Sequence, residues 1–345
     1  MKNHELIILS NITAALLGLL TILLVYLMIR KSIYIRNRKA IEGYKDKYNP
    51  IIFKLITEGG LSRELNLLST LQKKALEELL SRYARVLEGE EEERRLAEIA
   101  GLYLRDYYQK RLNNQRWSQR MNALYHIEDF KMRLLEKDVI QLLDRKRLSN
   151  EEAVHVLRIL ASFQYPRIFS IITDHFFALS EFDYRNIFLR LENNLFDQFI
   201  LSFHKLSMIM QNAILDVISI KKDLSYLAFT ENIFSSYTGE VKLRALKALA
   251  EVGYVKNIYP YMELLYSSKW QERMIAAKLI GALKEESGLP RLIELLHDQS
   301  WWVRSQAGQA IYQFPNGKGI LGNVLETTND VFARDMAWEW LHKGV

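Results

Sequence analysis

The feature that most restricts this 345-residue chain is a segment it repeats. Trp270-Gln-Glu-Arg273-Met-Ile-Ala276-Ala returns as Trp301-Trp-Val-Arg304-Ser-Gln-Ala307-Gly, and an earlier copy stands at Trp117-Ser-Gln-Arg120-Met-Asn-Ala123-Leu. A second frame follows the first: Leu289-Pro290-Arg-Leu-Ile-Glu-Leu-Leu-His-Asp298 matches Tyr165-Pro166-Arg-Ile-Phe-Ser-Ile-Ile-Thr-Asp174, with the two prolines 124 residues apart, four times 31. A period of this size is that of a helical repeat, whose units cannot bury their apolar faces alone and must stack.

Within one unit the small and apolar residues Met274, Ala277 and Ile280/Gly281 keep a helical period, and Gly288-Leu-Pro290 then opens a second apolar run. Each unit therefore reads as helix, turn, helix. Pro290, Pro260 and Pro166 are expected at the first position of the second helix, where the missing N–H costs nothing. Ala276/Ala277 and Ala307/Gly308 allow neighbouring helices to approach closely, with Leu292, Ile293, Leu295 and Leu296 filling the space between layers.

An arginine recurs at fixed phase, at Arg244, Arg273, Arg304 and Arg334, in steps of 29, 31 and 30 residues. With Val303-Arg304-Ser-Gln-Ala307 the chain resembles the HEAT repeat family, well over 239–345, recognisably over 116–166, and faintly elsewhere. The resemblance implies an all-α fold, an α-solenoid in which helix pairs wind into a superhelix. It implies that the arginine ladder is structural, each rung pairing with acidic or carbonyl groups of adjacent repeats. An anion-binding ladder is the other reading of the same residues. A fold of this kind does not fix an activity.

Leu6 to Ile29 is 24 residues without a charge, broken only by Ser10, Asn11, Thr13, Thr21 and one glycine, and is long enough to span a bilayer. A signal peptide competes with this reading, but the run is long for one and Tyr26-Leu-Met-Ile-Arg30 offers no small-residue cleavage site. Arg30, Lys31, Arg36, Arg38 and Lys39 crowd the far flank, so the positive-inside rule predicts a single-pass plasma-membrane protein with its N-terminus outside and its body in the cytoplasm.

Four segments follow: 1–29 an anchor; 30–50 a basic juxtamembrane helix that Asn49-Pro50 should break; 51–115 an atypical helical start to the solenoid; and 116–345 HEAT-like repeats closed by a cap carrying Trp338 and Trp340. The acidic run Glu88 to Glu93 is expected to mark a turn and the first turn of a helix. Phenylalanines crowd residues 176–237, among them Phe176, Phe177, Phe182, Phe188, Phe196, Phe199 and Phe203, and are read chiefly as core.

Charge narrows the partners. Residues 30–48 hold a local +5, which leaves +1 of the formal +6 for residues 49–345, so no nucleic acid is expected. With no cysteine, and none of the seven histidines at helical pairing distance from another, neither thiol chemistry nor a helical metal pair is available. Asp174-His175 alone is no dyad, Asn316-Gly-Lys-Gly319 lacks the pattern of a phosphate loop, and no cofactor is expected.

The chain is therefore expected to be a scaffold or adaptor, not an enzyme, binding a protein partner of a membrane-associated assembly, for example a membrane-associated enzyme. In HEAT-like stacks partners lie along the second helices, which nominates Glu263, Tyr266, Arg291, Glu294 and His297; as solvated positions they need no partner at all. Self-association is compatible with this reading. The alternatives are a membrane-tethered enzyme, since some HEAT-like proteins are glycosylases or lyases, and a lipid or cargo sensor using the Phe-rich middle.

Overall fold

The computed structural model describes residues 2–60, 65–174 and 178–343, the side chains of residues 2–10 and 12 excepted. His175, Phe176, Phe177, Gly344 and Val345 lie outside the described residues, as do the side chains at the start of the apolar run. Every regular element among the described residues is helical. The chain forms two compact units, 1–163 and 164–345.

The first unit holds α1 (Lys2–Glu58), α2 (Thr70–Ala84), α3 (Glu90–Leu112), α4 (Trp117–Asp129), α5 (Glu136–Ile140) and α6 (Asn150–Ser162). Contrary to the break expected at Asn49-Pro50, the 57-residue α1 continues through Pro50. A proline inside a helix removes one hydrogen bond and crowds the carbonyl four residues back. Tertiary packing outweighs that cost, because Tyr48, Ile52, Leu55 and Ile56 are buried on both sides of Pro50, and the Tyr83 hydroxyl donates to Asn49 Oδ1 at 2.8 Å. The apolar helix is thus one rigid piece with the first helix of the packed body.

Other boundaries follow local chemistry. Glu90 to Glu93 form the first turn of α3, where carboxylates complement the helix dipole. Ser69, Ser149 and Ser180 close capping boxes with Gln72, Glu152 and Asp183, each satisfying backbone donors at a helix start. The W-x-x-R-x-x-A alanines, Ala123, Ala276 and Ala307, are fully buried.

The second unit holds α7 (Ile168–Asp174), α8 (Glu181–Phe188), α9 (Asn193–Leu201), α10 (Met208–Lys221), α11 (Leu227–Ser236), α12 (Gly239–Val252), α13 (Tyr259–Met262), α14 (Trp270–Leu283), α15 (Leu289–Leu295), α16 (Trp301–Tyr312), α17 (Gly317–Thr327) and α18 (Val331–His342). Pro260 and Pro290 enter α13 and α15 in the first turn, while Pro166 stands in the turn before α7. The second helices are short, and α13 tightens into a 3-10 turn over Glu263–Tyr266. Val303, Ala307, Ala310 and Ile311 of α16 share one core with Ala276, Ala277 and Ile280 of α14 and with Ala333, Met336 and Ala337 of α18. Phe188, Phe196, Phe199 and Phe203 have no exposed surface, whereas Phe182 is 61% exposed, so the described part of the Phe-rich middle is mainly interior. In the last helix Trp338 faces out, and the Trp340 N–H is buried with no acceptor among the described residues.

Candidate interaction surface

Three tryptophan-led helices place an arginine at the same point of the first turn, and the three side chains do the same thing. Arg120 Nη1 donates to the carbonyls of Asn114 and Gln115 at 3.0 and 2.8 Å. Arg273 Nη1 donates to those of Ser267 and Ser268 at 2.8 and 3.1 Å, and Arg304 Nη1 to those of Asp298 and Gln299 at 2.8 and 3.2 Å. The guanidinium thus turns back to the loop that leads into its own helix and fixes the entry angle.

Two of the three also reach a carboxylate further along the chain. Arg120 Nε lies 2.5 Å from Glu152 Oε1, and Arg273 holds Asp298 with two bonds, of 2.6 and 2.8 Å. Arg304 instead lies over the Phe332 ring at 4.9 Å. Arg244 belongs to a different arrangement, reaching Asp216 and Glu181, both at 2.8 Å, and Glu240 at 2.7 Å. Arg334 is exposed and forms no side-chain hydrogen bond or ion pair among the described residues, so periodicity gives it the phase of a rung without the contact. Arg120 was missed as a rung by the arginine spacing alone; the tryptophan three residues before it is the signal that finds it.

Four of the five nominated partner residues come together. Tyr266, Arg291, Glu294 and His297 line an open groove of about 400 Å³ with Arg273, Asp298 and Gln299, while Glu263 is exposed outside it. Arg291 organises the wall: its guanidinium stacks on Tyr266 at 4.3 Å, donates to Glu294 Oε2 at 2.6 Å and to the Leu265 carbonyl at 3.3 Å. His297 Nδ1 sits 3.0 Å from Asp330 Oδ2, and this contact with two backbone N–H bonds holds the Asp330 carboxyl below its usual range. In Asp298 burial acts to raise the pKa, but the Arg273 guanidinium and the Ser300 N–H prevail and lower it. The groove is a preorganised polar wall with an aromatic rim.

Further aromatics are exposed at the helix starts that follow the groove-lining loops. Trp270 is 38% exposed, Trp301 48%, Trp302 59% and Phe332 63%, all at the first two positions of α14, α16 and α18. Large aromatics exposed in a row at a fixed helix position are a departure from ordinary surface composition.

A second cavity, of about 730 Å³, is lined by Phe169, Ile172, Leu179, Tyr184, Leu206, Ile209 and Met210, with Thr173, Asp174, Ser202, Lys205 and Ser207 supplying polar groups. Its size and lining are those of a small-ligand pocket. In the first unit lies a buried polar cluster that residue spacing does not signal: Glu77, fully buried, accepts from the Tyr108 hydroxyl at 2.8 Å, pairs with Lys74, and lies 3.4 Å from His126 Nε2 and 3.5 Å from Arg111 Nη1. Among the described residues no cluster of three or more His, Cys, Asp or Glu is arranged to hold a metal.

Residues 227–314 match HEAT repeats. The matched stretch contains α11 to α16, and so both the groove and the tryptophan-led helices beside it. No curated protein matches the chain. Among solved structures the chain is similar to two crystal structures of engineered proteins from the Northeast Structural Genomics Consortium. One is 15% identical with a TM-score of 0.35, the match covering 88% of this chain and 95% of that one. The other is 15% identical with a TM-score of 0.28, covering 77% and 94%.

Proposed function

We propose that this protein is a membrane-anchored scaffold whose second unit receives a partner protein in the groove beside Tyr266, Arg291, Glu294 and His297. The observation that carries the reading is this groove itself, in the stretch that matches HEAT repeats: charged, already ordered by Arg291, and bordered by exposed aromatics of the kind that dominate binding energy at interfaces. The anchor is the apolar part of α1, a helix long and apolar enough to cross a membrane; its most apolar 18-residue stretch has mean hydropathy 2.1 and none of that stretch is buried. Its large side chains from Leu16 to Ile29 are between 48% and 69% exposed, a surface that water penalises and lipid does not. In this reading the basic stretch after Ile29 faces anionic headgroups on the cytoplasmic side, the N-terminus lies outside, and tethering raises the partner's effective concentration.

A photo-crosslinking residue at Tyr266 of the full chain in intact cells tests the docking half. A partner captured from Tyr266, and reduced about tenfold when Glu294→Lys reverses the charge of the groove wall, supports the reading. Capture that ignores Glu294→Lys, or adducts of this chain alone, sinks it. The absence of cysteine allows single cysteines to test the membrane half. A membrane-impermeant maleimide added to intact cells should label Asn3→Cys and spare Ser235→Cys; the reverse pattern refutes the topology.

The cavity lined by Phe169 and Met210 favours a second reading, a sensor for an apolar ligand. Retention of a lipid by the purified full chain, lost in Ile172→Asp, is the outcome that would rank it first.

A further inference from the structure

The tryptophan row has a period, and the period restricts what lies on it. Trp270 and Trp301 are 31 residues apart, and Trp302 and Phe332 are 30 apart, so each opens the first helix of a successive repeat. Helices packed side by side stand roughly 8–10 Å apart, which sets the spacing of the aromatics along the row. A polyproline II segment rises about 3.1 Å per residue with three residues per turn, so every third residue returns to the same face after roughly 9.3 Å. In a β-strand the third residue faces the opposite side.

Hydrogen bonding selects the same ligand. At two of the three helix starts, those of α14 and α16, the first backbone N–H groups lack intrahelical acceptors and the cap side chains of Lys269 and Ser300 do not take them up, whereas at α18 Asp330 accepts from the Phe332 and Ala333 N–H groups. Indole N–H groups add further donors. An α-helical ligand has already used its carbonyls internally, whereas a polyproline segment carries carbonyl acceptors and no N–H donors of its own. Trp301 and Trp302 meet edge to face at 4.9 Å and Arg304 is stacked on Phe332, so the rings are braced before anything binds. At the exposures found, the four aromatics offer on the order of 500 Å² of apolar surface.

From this we infer that the edge formed by Trp270, Trp301, Trp302 and Phe332 binds a proline-rich segment of the partner in the polyproline II conformation, one proline ring per repeat. The inference rests on the scaffold reading and specifies the partner's chemistry.

The test uses the full chain in detergent and a fluorescein-labelled peptide of about twelve prolines, long enough for roughly four turns. Controls are a Gly-Ser peptide of equal length and an amphipathic helical peptide. Binding should appear with the proline peptide alone, quench tryptophan fluorescence, and weaken about tenfold in Trp302→Ala and in Phe332→Ala, whose melting curves should match the parent. No binding, equal binding of the helical peptide, or binding indifferent to both substitutions overturns the inference. If Tyr266 still captures a partner in cells while the proline peptide fails, the polyproline assignment falls and the scaffold reading stands. If neither occurs, both fall.

Discussion

Arg273 clamps Asp298 through two hydrogen bonds, Nε to Oδ2 at 2.6 Å and Nη2 to Oδ1 at 2.8 Å, while its remaining nitrogen ties down the loop that opens its own helix. One side chain thereby fixes the entry to α14 and the exit of α15, and Asp298 returns the support by accepting from the Ser300 N–H at 2.8 Å. Loss of Arg273 leaves a mostly buried carboxylate without its partner. Arg273→Ala is expected to destabilise by about 3 kcal/mol, Arg273→Lys by somewhat less because an ammonium cannot form the fork. Chemical denaturation of the full chain measures this, and a double-mutant cycle with Asp298→Asn should show strong coupling; additive effects would mean that the clamp does not act as a unit.

Glu77 gives a pH prediction. Burial pushes its carboxyl upward, but His126 and Lys74 pull harder and bring it down to about 2. A carboxylate whose folded value lies below its unfolded value near 4.5 stabilises the fold above that value, and the contribution disappears as pH falls towards 2. On the order of 3 kcal/mol should therefore be lost between roughly pH 4.5 and 2. In Glu77→Gln the stability of the chain should start lower and depend less on pH over that window. An unchanged acid profile would remove Glu77 from this role.

Two helical glycines should respond oppositely to the same methyl group. A Cβ on Gly281 would stand 2.6 Å from Ala310 Cα, where α14 and α16 touch, whereas one on Gly322 meets nothing within 4 Å. Gly281→Ala is expected to lower stability by about 1–3 kcal/mol through overpacking. Gly322→Ala should raise it by about 0.5–1 kcal/mol by restricting the unfolded chain. Equal effects in thermal melts would contradict the contact between the two helices.

Pro50 is exposed on a helix that continues through it. Pro50→Ala restores an N–H to the Asp46 carbonyl and should increase protection from hydrogen exchange over residues 47–58, with a gain of up to about 3 kcal/mol. Reduced protection would show instead that a proline-specific bend is needed to seat Tyr48 and Ile52.

Some of this was legible because local spacing carries it. Tryptophan, arginine and alanine at fixed intervals fix a helix phase, and the alanines of all three copies are buried as that phase requires. The run Glu90 to Glu93 and the serine at 149 mark helix starts by chemistry confined to one turn. Pro50 defeated the same local logic, because Tyr48, Ile52 and Ile56 bury enough surface to hold a helix that the backbone alone would interrupt. The groove was half visible: the 31-residue offset pairs Tyr266 with His297 and Glu263 with Glu294, but only the packed structure shows that Arg291 lies over Tyr266 and that Glu263 stands apart.

That this chain is helical, repeated and led by an apolar helix is encoded locally, since each property follows from residue types within a turn or two of one another. Which polar groups meet is settled by packing. Glu77, Tyr108 and His126 lie on three different helices, and no periodicity encodes their convergence around one carboxylate. Arg304 and Arg334 share a phase, yet among the described residues only the former finds carbonyls within reach, because a hydrogen bond depends on ångström placement of the acceptor, which packing sets and spacing does not.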